Sequence, residues 1–309
     1  MMQILKIITT ISLAFCIYGC SNQEVKEEQK KSVEFQYVPK KPVDGKYSGI
    51  VELGGDGFNS FIINADSSNL WFMEKAEFGI SNAYDDNAEI AEIQSGLEAY
   101  INKMLDYNVN GNDIHFVVSS TAAKNKRVQL IDSILASIGY VVNTVNDNEE
   151  GKFALIATLP ERFYENGFVV DIGSGNTKIS WVEGDSIYSR STYGAKYYTN
   201  NTEDRQVSQE VEKILSQIPA ARKKHCFIIG GIPFKMAKDY RKDDERYTVL
   251  KSPDTYIVGD DKKFNGGLNI YRTIYEDTNT DLVIFDWEAN FSIGFLLSVK
   301  DRAEASDEE

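Results

Sequence analysis

The feature that most constrains the fold is an internal duplication of the sequence. Residues 46–66 contain two apolar runs around the glycine cluster "ELGGDG", and residues 166–194 contain further apolar runs around "DIGSGN". Each segment predicts a β-hairpin with a glycine-rich turn, and each is followed by alternating helical and strand-like patterns. This order predicts two α/β units, each with a mixed sheet and helices on its faces.

The length and composition fit this organisation. A chain of 309 residues that is 42% hydrophobic can bury two cores. In the first half, the clearest helix pattern places Ile90, Ile93, Leu97, Ile101 and Leu105 at helical spacing. We predict a signal peptide over residues 1–20, a flexible tether over 21–46, domains over 47–162 and 163–300, and a solvated acidic tail over 301–309. Within the second domain, the polar residues 241–265 predict an irregular segment.

The N-terminus indicates export from the cytoplasm. Lys6 precedes the apolar run "IITTISLAFCIYG", which is too short to span a membrane as a mature helix. Gly19 and then Cys20 end this run, a combination that resembles a bacterial lipoprotein signal in which Cys20 is lipidated. An ordinary secretory signal cut at another bond, or an N-terminal membrane anchor, are the alternatives. We expect a lipid-anchored protein of the bacterial cell envelope, with the outer membrane slightly preferred because Ser21 does not resemble an inner-membrane retention signal.

Charge and cysteine content exclude several function classes. The formal net charge of −14 argues against general binding of DNA or RNA. After cleavage and lipidation, Cys226 is the one cysteine left, so no internal disulfide is expected. His115 and His225 lack the neighbouring ligands of a zinc site.

The second glycine turn predicts an anion site of an unusual type. In "VVDIGSGNTK" the turn leads into a strand, whereas the P-loop and the Rossmann fingerprint lead into a helix. Glycines allow consecutive backbone N–H groups to point into one concavity that binds an anion. Asp171 is suited to hold a divalent cation, and Asn176 and Thr177 add hydrogen-bonding groups. A plain hairpin with a permissive turn is the alternative.

Taken together, the segments resemble the exopolyphosphatase / guanosine pentaphosphate phosphohydrolase (Ppx/GppA) family, within the superfamily of sugar kinases, heat-shock chaperones and actin. The resemblance rests on "ELGGDGFNSFIINAD", "VVDIGSGNTK", "YGAKYYT" and "FIIGGIPFKMAK", and their order is kept over residues 47–298. It implies two actin-like (ribonuclease H-like) domains with mixed sheets, flanking helices and a cleft between them. It also implies hydrolysis of a terminal phosphoanhydride by water, which a glutamate orients, with Mg²⁺ or another divalent cation.

The resemblance also implies roles for individual residues. The catalytic glutamate is Glu150 rather than Glu149, because Glu150 matches the second member of the family's Glu-Glu pair. Without the resemblance, both acids are explained by the dipole of the helix that they begin. Glu52 and Asp171 would bind the metal. The phosphate-binding residues would be Gly54, Gly55 and Gly57 in the first turn, and Gly173, Ser174, Gly175, Asn176 and Thr177 in the second.

Some residues depart from the family pattern. Glu52 stands where the family has aspartate, Lys178 where it often has an acidic residue, and Ala122–Lys124 where it usually has an arginine. These departures keep a second function open, that of a catalytically degenerate protein that binds phosphate, polyphosphate or a nucleotide. A kinase or ATPase is a third hypothesis. The expected location outside the inner membrane disfavours it, because such an enzyme would lack ATP there. We expect the protein to be an enzyme. Its expected partners are polyphosphate or a small phosphorylated ligand, and a membrane that it contacts through its lipid anchor. Whether it forms a homodimer is left open.

Overall fold

The computed structural model describes residues 35–54, 57–79 and 89–307. Several predictions lie outside the described residues: the signal peptide with Cys20, residues 21–34 of the tether, Gly55 of the first turn, and the last two residues of the acidic tail. Among the helices that are described, none is both long and apolar enough to cross a membrane.

The first half of the chain forms a five-stranded mixed sheet in the order β3-β2-β1-β4-β5. Its strands are β1 (Lys46–Leu53), β2 (Phe58–Ala65), β3 (Trp71–Gly79), β4 (Ile114–Ser119) and β5 (Val142–Val145). The strands β1, β2 and β3 are antiparallel neighbours that follow one another in the chain, while β4 and β5 run parallel to β1. Parallel neighbours need a crossover, and the helices α1 (Ile90–Asp106) and α2 (Lys126–Ser137) provide it.

The predicted helical spacing of α1 is confirmed. Ile93, Leu97 and Ile101 are buried together with Met104, and this face packs on the first sheet and α2. Ile90 and Leu105 lie at the two ends of the helix and are exposed. The buried face is therefore shorter than the apolar pattern.

The second half repeats this arrangement in a six-stranded sheet of order β10-β11-β9-β6-β7-β8. Its strands are β6 (Gly167–Ile172), β7 (Asn176–Glu183), β8 (Ser186–Tyr193), β9 (His225–Ile229), β10 (Tyr247–Val249) and β11 (Leu282–Asp286). Strands β6, β7 and β8 are antiparallel, and β9 and β11 continue the sheet in parallel with β6. Helices α4 (Asp204–Leu215), α5 (Gly231–Ala237) and α6 (Lys262–Thr278) flank it. The predicted fold class is confirmed: two mixed sheets flanked by helices.

Strand β10 corrects the prediction that residues 241–265 are irregular. Tyr247 pairs with Asp286 and adds β10 antiparallel to the edge strand β11. The strand is anchored beside it, where Arg246 donates to the Asp286 carboxylate at 3.1 Å. A strand of three residues is too short to produce a periodic pattern.

Two helices, α3 (Asp147–Thr158) and α7 (Phe291–Asp307), pack against each other and join the two sheets. Phe153 of α3 lies in a core shared with α7 and the first sheet, whereas Leu155 lies in a core of the second sheet. The crossing is close, because a Cβ at Gly294 of α7 would overlap the carbonyl oxygen of Phe153. Helix α7 continues to Asp307, so residues 301–307 of the predicted acidic tail are helical.

Part of the predicted tether is packed. Phe35 contacts Phe227 and Tyr247 with ring centroids 5.7 and 5.5 Å apart, and Tyr37 contacts Phe163 at 5.6 Å. These contacts extend a core of the second sheet. Flexibility therefore does not describe this portion of residues 21–46, since aromatic pairs of this geometry stabilise the folded chain. The domain boundaries stay a prediction.

Candidate functional site

Strand β1, which leads into the first glycine hairpin, carries the carboxylate of Glu52 near its end. The Gly54 N–H donates to the carbonyl oxygen of Gly57 at 2.9 Å and closes the turn. Glu52 lies opposite Asn59 in the antiparallel register. Opposite residues point to the same face of a sheet, and the Asn59 amide donates to Glu52 Oε2 at 3.1 Å.

The second hairpin is built to the same plan. The Gly173 N–H donates to the carbonyl oxygen of Asn176 at 3.0 Å. Asp171 lies opposite Lys178, as Glu52 lies opposite Asn59. The internal duplication therefore extends to single positions: each hairpin carries a carboxylate at the end of its first strand and a nitrogen donor across from it.

The turn of the second hairpin is held by its carbonyl groups. The carbonyl oxygens of Gly173 and Ser174 accept hydrogen bonds at 2.9 Å from the N–H groups of Ala195 and Lys196. No acceptor within the described ranges binds the N–H groups of Ser174 and Gly175. Two neighbouring backbone donors are thus available, as an anion-binding nest requires.

Two glycines allow other segments to approach this turn. A Cβ at Gly194, in the segment "YGAKYYT", would overlap the backbone of the turn at Asn176. Gly230 has φ of +110°, and a Cβ there would overlap the carbonyl oxygen of Ile172. The glycines therefore serve close backbone packing that supports the turn.

Both hairpins open onto one cavity of about 1090 Å³. Its lining includes most of the residues predicted for the site: Glu52, Gly54, Gly57, Glu150, Asp171, Gly173, Ser174, Gly175 and Asn176. The predicted phosphate-binding role of Thr177 is corrected, because this residue is 0% exposed and does not line the cavity. Successive strand residues point to opposite faces, so Asn176 and Lys178 face the cavity and Thr177 faces the core.

The two adjacent glutamates, Glu149 and Glu150, have different surroundings. Glu149 Oε2 accepts from the Asn146 N–H at 2.9 Å, and the Asn146 side chain accepts from the Glu149 N–H at 3.1 Å. This reciprocal pair is a capping box that satisfies the start of α3. Glu150, by contrast, is 4% exposed and lines the cavity. The helix-start explanation thus fits Glu149, and the catalytic role of Glu150 stays a prediction.

Glu150 forms a buried ion pair with Lys178. Lys178 Nζ donates to Glu150 Oε2, and both residues are no more than 5% exposed. Burial raises the pKa of Glu150 to about 7, although the charge of Lys178 acts in the opposite direction. Burial also opposes the charged form of Lys178, but the charges of Asp171 and Glu150 outweigh it and raise the pKa of the ammonium. Lys178 therefore remains a cation at neutral pH.

Glu52 is fixed from two sides. In addition to Asn59, the amide of Asn290 donates to Glu52 Oε2 at 3.2 Å. Asn290 also accepts from the Ser292 N–H at 2.8 Å and so caps the start of α7. Burial raises the pKa of Glu52, and it also raises the pKa of Asp171. Neither asparagine is among the residues predicted for the site; the hairpin register is the sequence signal for Asn59, and the N-cap position is the signal for Asn290.

The predicted Mg²⁺ ligands have surroundings that do not fit a divalent cation. Within residues 35–54, 57–79 and 89–307, no three His, Cys, Asp or Glu side chains are grouped so as to hold a metal ion. One oxygen of Glu52 already accepts two amide hydrogen bonds. The charged Lys178 lies opposite Asp171 in the strand register and donates to Glu150. Its ammonium would repel a metal ion bound at this place.

Comparisons with known proteins agree with the fold. No family model matches the chain, and no curated protein matches it. A solved structure of the Aquifex aeolicus member of the Ppx/GppA family is 18% identical, covers 84% of this chain and 99% of its own, and has a TM-score of 0.61. An exopolyphosphatase from Cytophaga hutchinsonii is 13% identical, covers 83% and 98%, and has a TM-score of 0.59. The resemblance drawn from the sequence is confirmed for the fold.

Proposed function

We propose that this protein is a phosphohydrolase that cleaves the terminal phosphoanhydride bond of inorganic polyphosphate or a related chain. The observation that carries the proposal is the position of Glu150, whose buried carboxylate lines the same cavity as the two glycine hairpins. A pKa near 7 suits a general base at neutral pH. The Ppx/GppA-like fold supports the same reaction class.

The chain's own residues suffice to describe the reaction. Oε2 of Glu150 is held by Lys178, while Oε1 accepts no hydrogen bond from a described residue and is available for water. Glu150 takes a proton from this water as its oxygen forms a bond to the terminal phosphorus. The anhydride P–O bond breaks, and its oxygen leaves with the shortened chain and takes a proton from solvent, to which Glu150 releases the proton that it accepted. The N–H groups of Ser174 and Gly175 stabilise the charge on the transferred group.

A direct test is the release of orthophosphate from tripolyphosphate by the purified full-length protein. We expect release from tripolyphosphate to exceed release from ATP, because the cell-envelope address that we propose offers little nucleotide. The assay is run in EDTA and again with magnesium. No orthophosphate above the protein-free rate under either condition would contradict the proposal.

The pH dependence of hydrolysis gives a second check. Protonated Glu150 cannot accept a proton from water, so kcat/KM should rise about tenfold per pH unit below pH 7 and level off above it. The ionisation of tripolyphosphate is measured separately without protein and subtracted. A flat profile between about pH 5 and about pH 8 would assign the proton transfer to another group.

A binding protein without turnover is the second candidate, and the Lys178–Glu150 ion pair favours it. A carboxylate that is bound to an ammonium is a weaker base than a free one. Calorimetry separates the two functions, since tight binding of tripolyphosphate without release of orthophosphate supports the binding protein alone.

We also propose that lipid on Cys20 anchors the protein in the bacterial cell envelope, with the outer membrane preferred. The support is the sequence around Cys20, in which an apolar run ends at Gly19. Labelling cells with a fatty-acid analogue should mark the wild-type protein, and Cys20→Ser should abolish the label and move the protein to the soluble fraction. Cys226→Ser, a change at a buried cysteine of the fold, is the matched control. Labelling that persists in Cys20→Ser would contradict the anchor.

A further inference from the structure

The ammonium group of Lys178 has more N–H donors than its described contacts use. It carries three N–H groups, and one of them donates to Glu150. In the described part of the chain no other acceptor binds Nζ, and the side chain is 6% exposed, yet it lines the cavity. A buried donor without a partner carries a large desolvation penalty, so these N–H groups are suited to an oxyanion in the cavity.

The position of Lys178 agrees with this. It lies on the same strand face as Asn176, at the end of the turn that presents the N–H groups of Ser174 and Gly175. The other lysines that line the cavity, Lys196 and Lys263, are partly exposed and form no ion pair with a described residue. Lys178 is therefore the cation that the fold holds in a fixed place beside the turn.

We propose that Lys178 binds the substrate phosphate directly and supplies the charge neutralisation for which a divalent cation would otherwise be needed. The site then binds phosphoanhydride chains without a metal ion. This inference rests on the proposed function, which concerns the same cavity. It also accounts for the misfit of the predicted Mg²⁺ ligands, because the positive charge of the ammonium already acts on Glu52 and Asp171 and would repel a metal ion bound to them.

Calorimetry with tripolyphosphate on the full-length protein tests this. We expect wild-type protein to bind in EDTA, and Lys178→Met to weaken that binding at least ~10-fold. Lys213→Met removes the same charge from a side chain that is 70% exposed on α4, outside the cavity, and should leave the affinity unchanged. Lys178→Glu restores an acidic residue and should make binding depend on magnesium.

Folding is controlled separately, because Lys178→Met leaves Glu150 buried without its partner. The double variant Lys178→Met/Glu150→Gln removes both charges together, and its circular dichroism should match the wild type. If this folded double variant binds tripolyphosphate in EDTA as tightly as the wild type, the inference is overturned. Wild-type binding that requires magnesium overturns the inference and leaves the proposed function standing. Absence of binding under both conditions overturns both.

Discussion

Glu150→Gln is expected to lower kcat for tripolyphosphate hydrolysis at least ~100-fold, the contribution typical of a positioned general base. Glutamine keeps the shape of the side chain and cannot take a proton from water. It also removes the negative charge that faces Lys178. Because the backbone donors of the second turn are untouched, the affinity for tripolyphosphate should stay the same or increase. Steady-state release of orthophosphate and calorimetry measure the two effects separately.

The adjacent glutamate provides a matched control. Glu149→Gln makes the same chemical change one residue away, in a side chain that takes part in the capping box of α3. Glutamine also serves in a capping box, so both kcat and the free energy of unfolding should stay close to those of the wild type. Equal losses of activity in the two variants would point to the helix start as a whole. An unchanged kcat in Glu150→Gln would remove Glu150 from the reaction.

Gly294→Ala is expected to lower the free energy of unfolding by about 1–3 kcal/mol, the usual range for overpacking. The added methyl group would overlap the carbonyl oxygen of Phe153, which is backbone and cannot rotate away. Helices α3 and α7 would have to separate, and their shared core with the first sheet would loosen. Urea denaturation followed by circular dichroism gives the change directly.

Gly96→Ala is the control for helix propensity. Gly96 lies inside α1, and no neighbouring element comes within 4 Å of the place that an added methyl group would take. Alanine should therefore stabilise the protein by about 0.5–1 kcal/mol. Both substitutions exchange glycine for alanine within a helix, and the difference between them isolates the crossing of α3 and α7. If Gly294→Ala were as stabilising as Gly96→Ala, the close crossing would be incorrect.

Much of the fold follows from local patterns. The two glycine hairpins and the alternation of helices and strands after each are visible in the sequence, because hydrophobic periodicity and glycine turns are local signals. Most of the site residues that the resemblance implies line one cavity. Thr177 is the exception, because the alternation of side chains along β7 turns it toward the core.

What the sequence could not provide depends on contacts between distant residues. Asn290 reaches Glu52 across 238 positions, and no local pattern indicates this contact. Lys178 departs from the family pattern, but its ion pair with Glu150 depends on how α3 packs against the second sheet. The docking of Phe35 and Tyr37 depends equally on a core that forms from other parts of the chain.

The ion pair between Lys178 and Glu150 restricts how this site can evolve. Replacing either residue alone leaves the other as an isolated buried charge, which typically destabilises a protein by about 3–5 kcal/mol. A substitution at one of these two positions is therefore selected against, even where the same substitution would be tolerated if the other position changed with it. A chain that keeps Glu150 without the lysine should therefore place another cation beside that carboxylate.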